Sequence, residues 1–334
     1  MGNARTALKL ALQQIPLTLV HRILVPDFVC DVLLHPIIRA GFLPEFYPLI
    51  DNLSPDWDRL ESIASEASCC AIIMVHYFGQ PQDIERFRSF CAYYNLLLIE
   101  DNAHGYGGYL GGKPLGRFGN FGISSPRKFL GTPSGGILHG VSTESSELLK
   151  SISPFPICRP FQVSKLAIRM IPGFESTVRA LINRHSNWDD PRLFRESLKP
   201  DYGIDCFSYR RIVNADWPHL AYRRREVWSD WSIFIESVGL VPVFSNVHPE
   251  SNPWALPVYA ESVEERNLWL RWGAFHRISI FPWPSLPEQV ILSAGGALDR
   301  WSKLLCFPLA FRPKSLNILV VLYFFFTFAL RASA

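Results

Sequence analysis

LLLIEDNAHGYGGYLGGKPLGRFGNFGISSPRK, residues 96–128, is the stretch whose reading decides the fold of this chain. Its first four residues, Leu96 to Ile99, form a continuous apolar run too short for a helix, which reads as a strand buried on both faces. The run delivers Glu100 and Asp101 to its carboxyl end, where open α/β sheets bind their ligands. A glycine-rich passage then leads to Ser124, Ser125 and Lys128. Hydroxyls can hold phosphate, and an amine can form an imine with a carbonyl. Taken singly, each residue also has a plain reading: Glu100 and Asp101 close a strand before a turn at Asn102 and Gly105, and Lys128 is an ordinary surface lysine in a loop.

Toward the amino terminus the same rhythm repeats. Ala71 to Val75 (AIIMV) predicts a strand and Asp83 to Tyr94 an amphipathic helix before the run at 96–99. Continuous apolar strands separated by helices predict an α/β layer with a mostly parallel sheet covered on both faces. Asn3 to Leu12 (NARTALKLAL) predicts a further amphipathic helix.

Toward the carboxyl terminus the pattern loosens between Ser151 and Gly203, where Pro154, Pro156, Pro160, Pro172, Pro191 and Pro200 break any long element. That segment reads as a meandering connection or lid, with Val163 to Met170 helical. A charged, Trp-rich helix follows from about Ala215 to Val238, then short strands at Leu240–Phe244, Trp254–Tyr259 and Ile278–Phe281. The expected division is a large α/β domain over 1–213, a small α+β domain over 214–313 and an apolar tail over 314–334. The tail contains Leu316 to Leu330 (LNILVVLYFFFTFAL), an apolar run of about fifteen residues, where a spanning helix needs roughly twenty. A buried terminal helix, a membrane-associating segment and an ill-ordered end are all compatible with it.

Bulk properties narrow the function. At 334 residues and 48% hydrophobic content the chain can bury a large core and a smaller second one. The formal charge of +3 is dispersed, and the one dense basic cluster, Arg223 to Arg225, sits beside Glu226 and Asp230, which is no nucleic-acid footprint. Seven cysteines without a CxxC pair read as reduced cytosolic thiols, and no histidine has metal spacing, so no metal site is expected. His76 reads as the end of a strand. The opening residues lack the form of a secretory signal, so a cytoplasmic location is expected.

Together the motifs resemble the DegT/DnrJ/StrS family of sugar aminotransferases, of the aspartate-aminotransferase fold type I. The resemblance rests on Asp101-Asn102-Ala103-His104, on Ser125-Pro126-Arg127-Lys128 and on VHYFGQPQDIERF (Val75 to Phe87). Near the end NPWALPVY (Asn252 to Tyr259), the Trp283-Pro284 pair and LLCFPLAF (Leu304 to Phe311) resemble the family's small domain. The resemblance implies pyridoxal 5'-phosphate (PLP) as cofactor, bound by the large domain and bonded to Lys128. It implies Asp101 against the pyridine nitrogen, His104 near the ring hydroxyl, and Ser125 or Ser124 on the phosphate. Asn3 to Leu12 resembles the family's phosphate-holding helix start, with Arg5 and Thr6 as contacts. Pro26-Asp27-Phe28-Val29 departs from the family pattern at the ring-stacking position, which falls to Phe28 or another aromatic.

The implied reaction is transfer of an amino group from a donor such as glutamate to a keto sugar, nucleotide-linked, in surface-polysaccharide or amino-sugar biosynthesis. A homodimer is implied, with peripheral membrane contact if the apolar tail associates with lipid. The alternative is a catalytically weak homologue that binds PLP or a sugar nucleotide for regulation. In related sugar dehydratases a histidine takes the lysine's place, and Lys128 argues against that outcome.

Overall fold

The computed structural model describes residues 1–16, 21–140, 152–153, 188–192 and 201–313. Helix α1 (Ala4–Leu12) opens the chain, followed by β1 (Arg22–Pro26), α2 (Leu34–Arg39), β2 (Leu43–Tyr47), α3 (Trp57–Glu66), β3 (Cys69–Val75) and α4 (Ile84–Tyr94). Next come β4 (Leu97–Asn102), the short strands β5 (Tyr109–Leu110) and β6 (Lys113–Pro114), β7 (Phe121–Ser124), α5 (Arg127–Leu130) and β8 (Ile137–His139).

One six-stranded sheet runs in the order β2-β1-β3-β4-β7-β8. Its strands are parallel from β2 to β7, and only the edge strand β8 is antiparallel. The sheet is mixed and mostly parallel, flanked by helices, which is the α/β class the apolar runs imply. Ala71 to Val75 and Leu98 to Asn102 are buried without alternation, as strands covered on both faces must be. β4 reaches three residues past the apolar run, because Asp101 pairs with Val75 on one side and Ile123 on the other, and Asn102 with Ser124.

A second, smaller sheet of three antiparallel strands has the order β11-β10-β9: β9 (Val241–Pro242), β10 (Ala255–Tyr259) and β11 (Leu304–Pro308). The remaining helices are α6 (Cys206–Val213), α7 (Trp217–Ser237), α8 (Val263–Phe275), α9 (Glu288–Ser293) and α10 (Gly296–Lys303); α7 and α8 contact the small sheet, whereas α6 contacts α5. Helix α7 starts where Asp216 caps it, its side chain accepting from His219 N–H, with Pro218 in the first turn where no N–H is missed.

Two expected strands shrink. Leu240–Phe244 retains only β9. Ile278–Phe281 is reduced to a single bridge, Phe281 to Cys306, because Arg277 at φ 58° precedes it and Pro282 and Pro284 end it. The helix expected at Val163–Met170 and the tail from 314 onward lie outside the described residues.

Candidate active site

Alternation along β4 separates two adjacent carboxylates. Glu100 is fully buried away from the ligand end, where Phe118 N–H (2.6 Å), Gly119 N–H (3.1 Å) and Gly116 N–H donate to it and His76 Nε2 lies 2.8 Å away. Burial pushes its pKa up, but the His76 contact and those amides outweigh it and hold the carboxyl below its ordinary value. His76 Nδ1 accepts from Gln82 N–H at 3.1 Å, so Nε2 carries the proton and donates to Glu100. His76, read from sequence as a strand end, is therefore also a buried strut.

Asp101 points the other way, into a cavity of about 470 Å³ at the carboxyl end of the sheet. Its Oδ1 accepts from Ala103 N–H at 2.9 Å. Burial raises its pKa, against the opposing pull of that amide and of the Lys128 charge. His104, three residues on, is buried in the same wall. Desolvation, then the Lys128 charge, drives its pKa well below the ordinary histidine value, so it stands there as neutral imidazole. Among the described residues its Nδ1 has no hydrogen-bond partner.

Lys128 projects from the short helix α5, just past the end of β7, and lines the cavity with Ser125 and Arg127. The Lys128 Nζ lies 4.9 Å from the centroid of the Trp254 ring. Ser125 Oγ is buried and has no partner among the described residues. From the amino terminus, Asn3, Ala4 and Arg5 bring the first turn of α1 to the cavity. Asn3 caps that helix by accepting from Thr6 N–H at 3.0 Å. Such a helix start favours an anion through its exposed N–H groups and dipole.

Three sequence-predicted residues do not line the cavity. Thr6 follows Arg5 by about 100° around α1, and its hydroxyl donates to Asp201 Oδ1 at 3.0 Å instead. Ser124 alternates with Ser125, and its Oγ accepts from Asn102 Nδ2 on the neighbouring strand at 3.5 Å. Phe28 is fully buried against Trp283 and Tyr77, with centroids 4.8 Å and 6.3 Å away, and those two rings face the cavity in its place.

Sequence reasoning missed Trp254 and Trp283 as cavity residues, although both sit in the quoted segments NPWALPVY and Trp283-Pro284. Tyr77 and Cys30 were also passed over. Buried hydroxyl, imidazole and carboxyl groups thus converge with an amine and a helix start on one largely apolar cavity. This set can bind a planar, phosphorylated, ring-nitrogen-bearing molecule and move protons at its edge. Among the described residues no group of three His, Cys, Asp or Glu could hold a metal ion.

The profile of the DegT/DnrJ/EryC1/StrS aminotransferase family matches residues 1–165. Over 121 residues the chain is 30% identical to GDP-perosamine synthase of Vibrio cholerae, a match covering 36% of this chain and 33% of that protein. The chain thus spans about a third of that relative's length. Over 303 residues it is 26% identical to dTDP-4-dehydro-2,3,6-trideoxy-D-glucose 4-aminotransferase of Saccharopolyspora spinosa, covering 84% of this chain and 73% of that one. Among solved structures, Helicobacter pylori PseC, an aminotransferase involved in the biosynthesis of pseudoaminic acid, superposes with a TM-score of 0.65 at 14% identity. That match covers 97% of this chain and 83% of PseC, and it establishes a shared fold.

Proposed function

Through residues 1–165 the chain belongs to the DegT/DnrJ/EryC1/StrS aminotransferase family, and from that premise we propose that it is a PLP-dependent aminotransferase acting on a nucleotide-linked keto sugar. The observation that carries the reading is the convergence of Asp101, His104, Ser125, Lys128 and the α1 start on one cavity.

The cavity suits PLP on its own chemistry. Ser125 Oγ and His104 Nδ1 are buried polar atoms that need a partner, and the α1 start with Arg5 suits a phosphate. The Asp101 carboxylate would hold the proton on the pyridine nitrogen, and the Lys128 amine would bond the cofactor's carbonyl carbon. PLP would supply the electron sink that makes a proton α to the amino group removable. With the lysine amine free, Lys128 is the group that takes and returns that proton. Neutral His104 can donate or accept one hydrogen bond at the ring edge without adding charge. Glutamate as amino donor, a homodimer, a cytoplasmic location and a role in polysaccharide or amino-sugar biosynthesis are part of the same proposal. No helix among the described residues is long and apolar enough to cross a membrane. Peripheral contact through the tail, outside the described residues, is the remaining element of the proposal.

Absorbance spectra of the purified chain with PLP, before and after borohydride, followed by peptide mapping, test the reading. The expected result is a reduced adduct on Lys128 and a spectrum that changes on adding glutamate. Absence of an adduct on any lysine would overturn it. Lys128→Ala should still bind PLP without the covalent bond and lose at least about 10²–10⁴-fold in turnover.

A second reading, a homologue that holds PLP or a sugar nucleotide for regulation, is favoured by Thr6 and Phe28 facing away from the cavity. It predicts the adduct on Lys128 with no spectral response to any amino donor.

A further inference from the structure

Trp254 stands where the two sheets meet the lysine. It immediately precedes β10 of the small sheet, yet it lines the cavity at the end of the large one. Its backbone is held from both sides. Its N–H donates to the Phe78 carbonyl at 3.0 Å, and its own carbonyl accepts from Arg224 Nη2 at 2.8 Å. Arg224 Nε also donates to the Pro253 carbonyl at 2.7 Å. The same guanidinium lies over the ring of Phe129, the residue after Lys128, at 5.1 Å. Helix α7, the start of β10 and helix α5 are thereby joined through one half-buried arginine.

The indole is placed as firmly as the backbone. It stacks on His104, with centroids 4.4 Å apart and planes at 22°, and packs on Phe281 at 5.2 Å. Lys128 Nζ lies 4.9 Å from its centroid, within the range in which an ammonium is attracted by the negative face of a tryptophan ring.

We propose that Trp254 is a positioning residue for Lys128: its indole face holds the lysine ammonium whenever that amine is not covalently engaged. This rests on the proposed role of Lys128, but it assigns to the small sheet a direct control over the lysine's charge and reach. The small sheet brings the ring, Arg224 fixes its backbone, and His104 fixes its plane. A lysine released from its bond then has a ring face to rest against, close to the reacting centre.

The proposal has a sign. A ring face attracts the ammonium and not the neutral amine, so it raises the pH at which Lys128 loses its proton. Removing the ring lowers that midpoint. Loosening the cavity so that water enters would do the opposite, since hydration also favours the ammonium. The other titratable or charged groups facing the cavity are Asp101, His104, Tyr77, Cys30, Arg5 and Arg127. None of them is altered chemically when Trp254 alone is changed, and His104, which loses its stacking partner, is neutral and adds no charge of its own.

Competitive acylation of the full chain without PLP, with acetic anhydride from about pH 6 to about pH 11 across the ordinary lysine range, reads this midpoint from the Lys128 peptide by mass spectrometry. Trp254→Leu should lower it by about 0.4–1.5 pH units, and Trp254→Phe, which keeps an aromatic face, should lower it by less than half as much. A midpoint that stays or rises in Trp254→Leu overturns the proposal. Should the leucine variant fail to fold, Trp254→Phe decides alone: a small fall supports the role and no fall overturns it. The measurement is independent of the enzyme reading. If PLP bonds no lysine the enzyme reading fails while the midpoint stays measurable, and if the midpoint does not move the Trp254 role fails while PLP bonding stands.

Discussion

Glu100 and Asp101 are chemical twins one residue apart, and their surroundings drive them in opposite directions. Glu100 receives three backbone N–H groups and His76, which outweigh its burial, whereas Asp101 receives one amide and its pKa rises. A carboxyl with few donors is free to serve a ligand, while one with four partners holds a loop. Asp27 shifts in the same direction as Asp101, pushed up to about 6 by burial despite Arg300 Nη1 at 4.0 Å. Its folded-state pKa lies above the unfolded value of 3.8, so folding takes up a proton. The stability it contributes is complete below about pH 4 and lost as pH rises through about 6, a difference of roughly 3 kcal/mol. Asp27→Asn should therefore flatten the fall in stability between pH 4 and pH 8, read by urea unfolding at both.

At the scale of elements, the site depends on how closely α1 approaches β8. Gly135 N–H donates to the Gly2 carbonyl at 2.9 Å, and Gly136 N–H to the Met1 carbonyl at 2.8 Å, which brings the α1 start against the edge of the sheet. A Cβ on Gly136 would lie 2.2 Å from the Asn3 carbonyl carbon and oxygen, backbone atoms that cannot swing aside. Gly136→Ala should push the first turn of α1 off the cavity. Its expected signature is weaker binding of inorganic phosphate by about tenfold or more, together with a stability loss of about 1–3 kcal/mol. Titration with phosphate and a urea melt measure the two effects.

For the whole molecule, the small sheet divides two apolar clusters: Ala255, Leu304 and Cys306 join the cluster of the large sheet, Leu256, Val258, Leu305 and Phe307 join the smaller one, and Phe244 packs against both. Polar ties cross between the distant parts: Ser285 Oγ donates to Asp31 Oδ1 at 2.6 Å, Arg300 Nη2 to the Leu49 carbonyl at 2.7 Å, and Tyr259 OH to the Asp51 carbonyl at 2.8 Å. Trp231 fills the centre of the smaller cluster, and its Nε1–H donates to the carbonyls of Pro308 and Phe311, both at 3.0 Å. Trp231→Ala should cost about 3–5 kcal/mol. Because the clusters are tied across the seam, fluorescence and circular dichroism should follow one coincident transition in urea, for the parent chain and the variant alike.

The sequence by itself determined the α/β class, the strand end that carries Asp101, and the order of carboxylate, imidazole and lysine, since these follow from apolar periodicity and from neighbours along the chain. It also brought Asp101, His104, Ser125, Arg5 and Lys128 forward as candidates, all of which line one cavity. Periodicity fixes only how residues point relative to one another. That Arg5 lines the cavity and Thr6 does not goes with the bond from Thr6 to Asp201, far along the chain, and Ser124 was claimed by Asn102 across the sheet. Phe28 went behind Tyr77 and Trp283 because those rings close over it, and Trp254 came beside Lys128 because the small sheet packs against the end of the large one. Such facing depends on contacts between residues on different elements, 22 positions apart for Ser124 and Asn102 and 195 for Thr6 and Asp201, and only the tertiary structure brings those together.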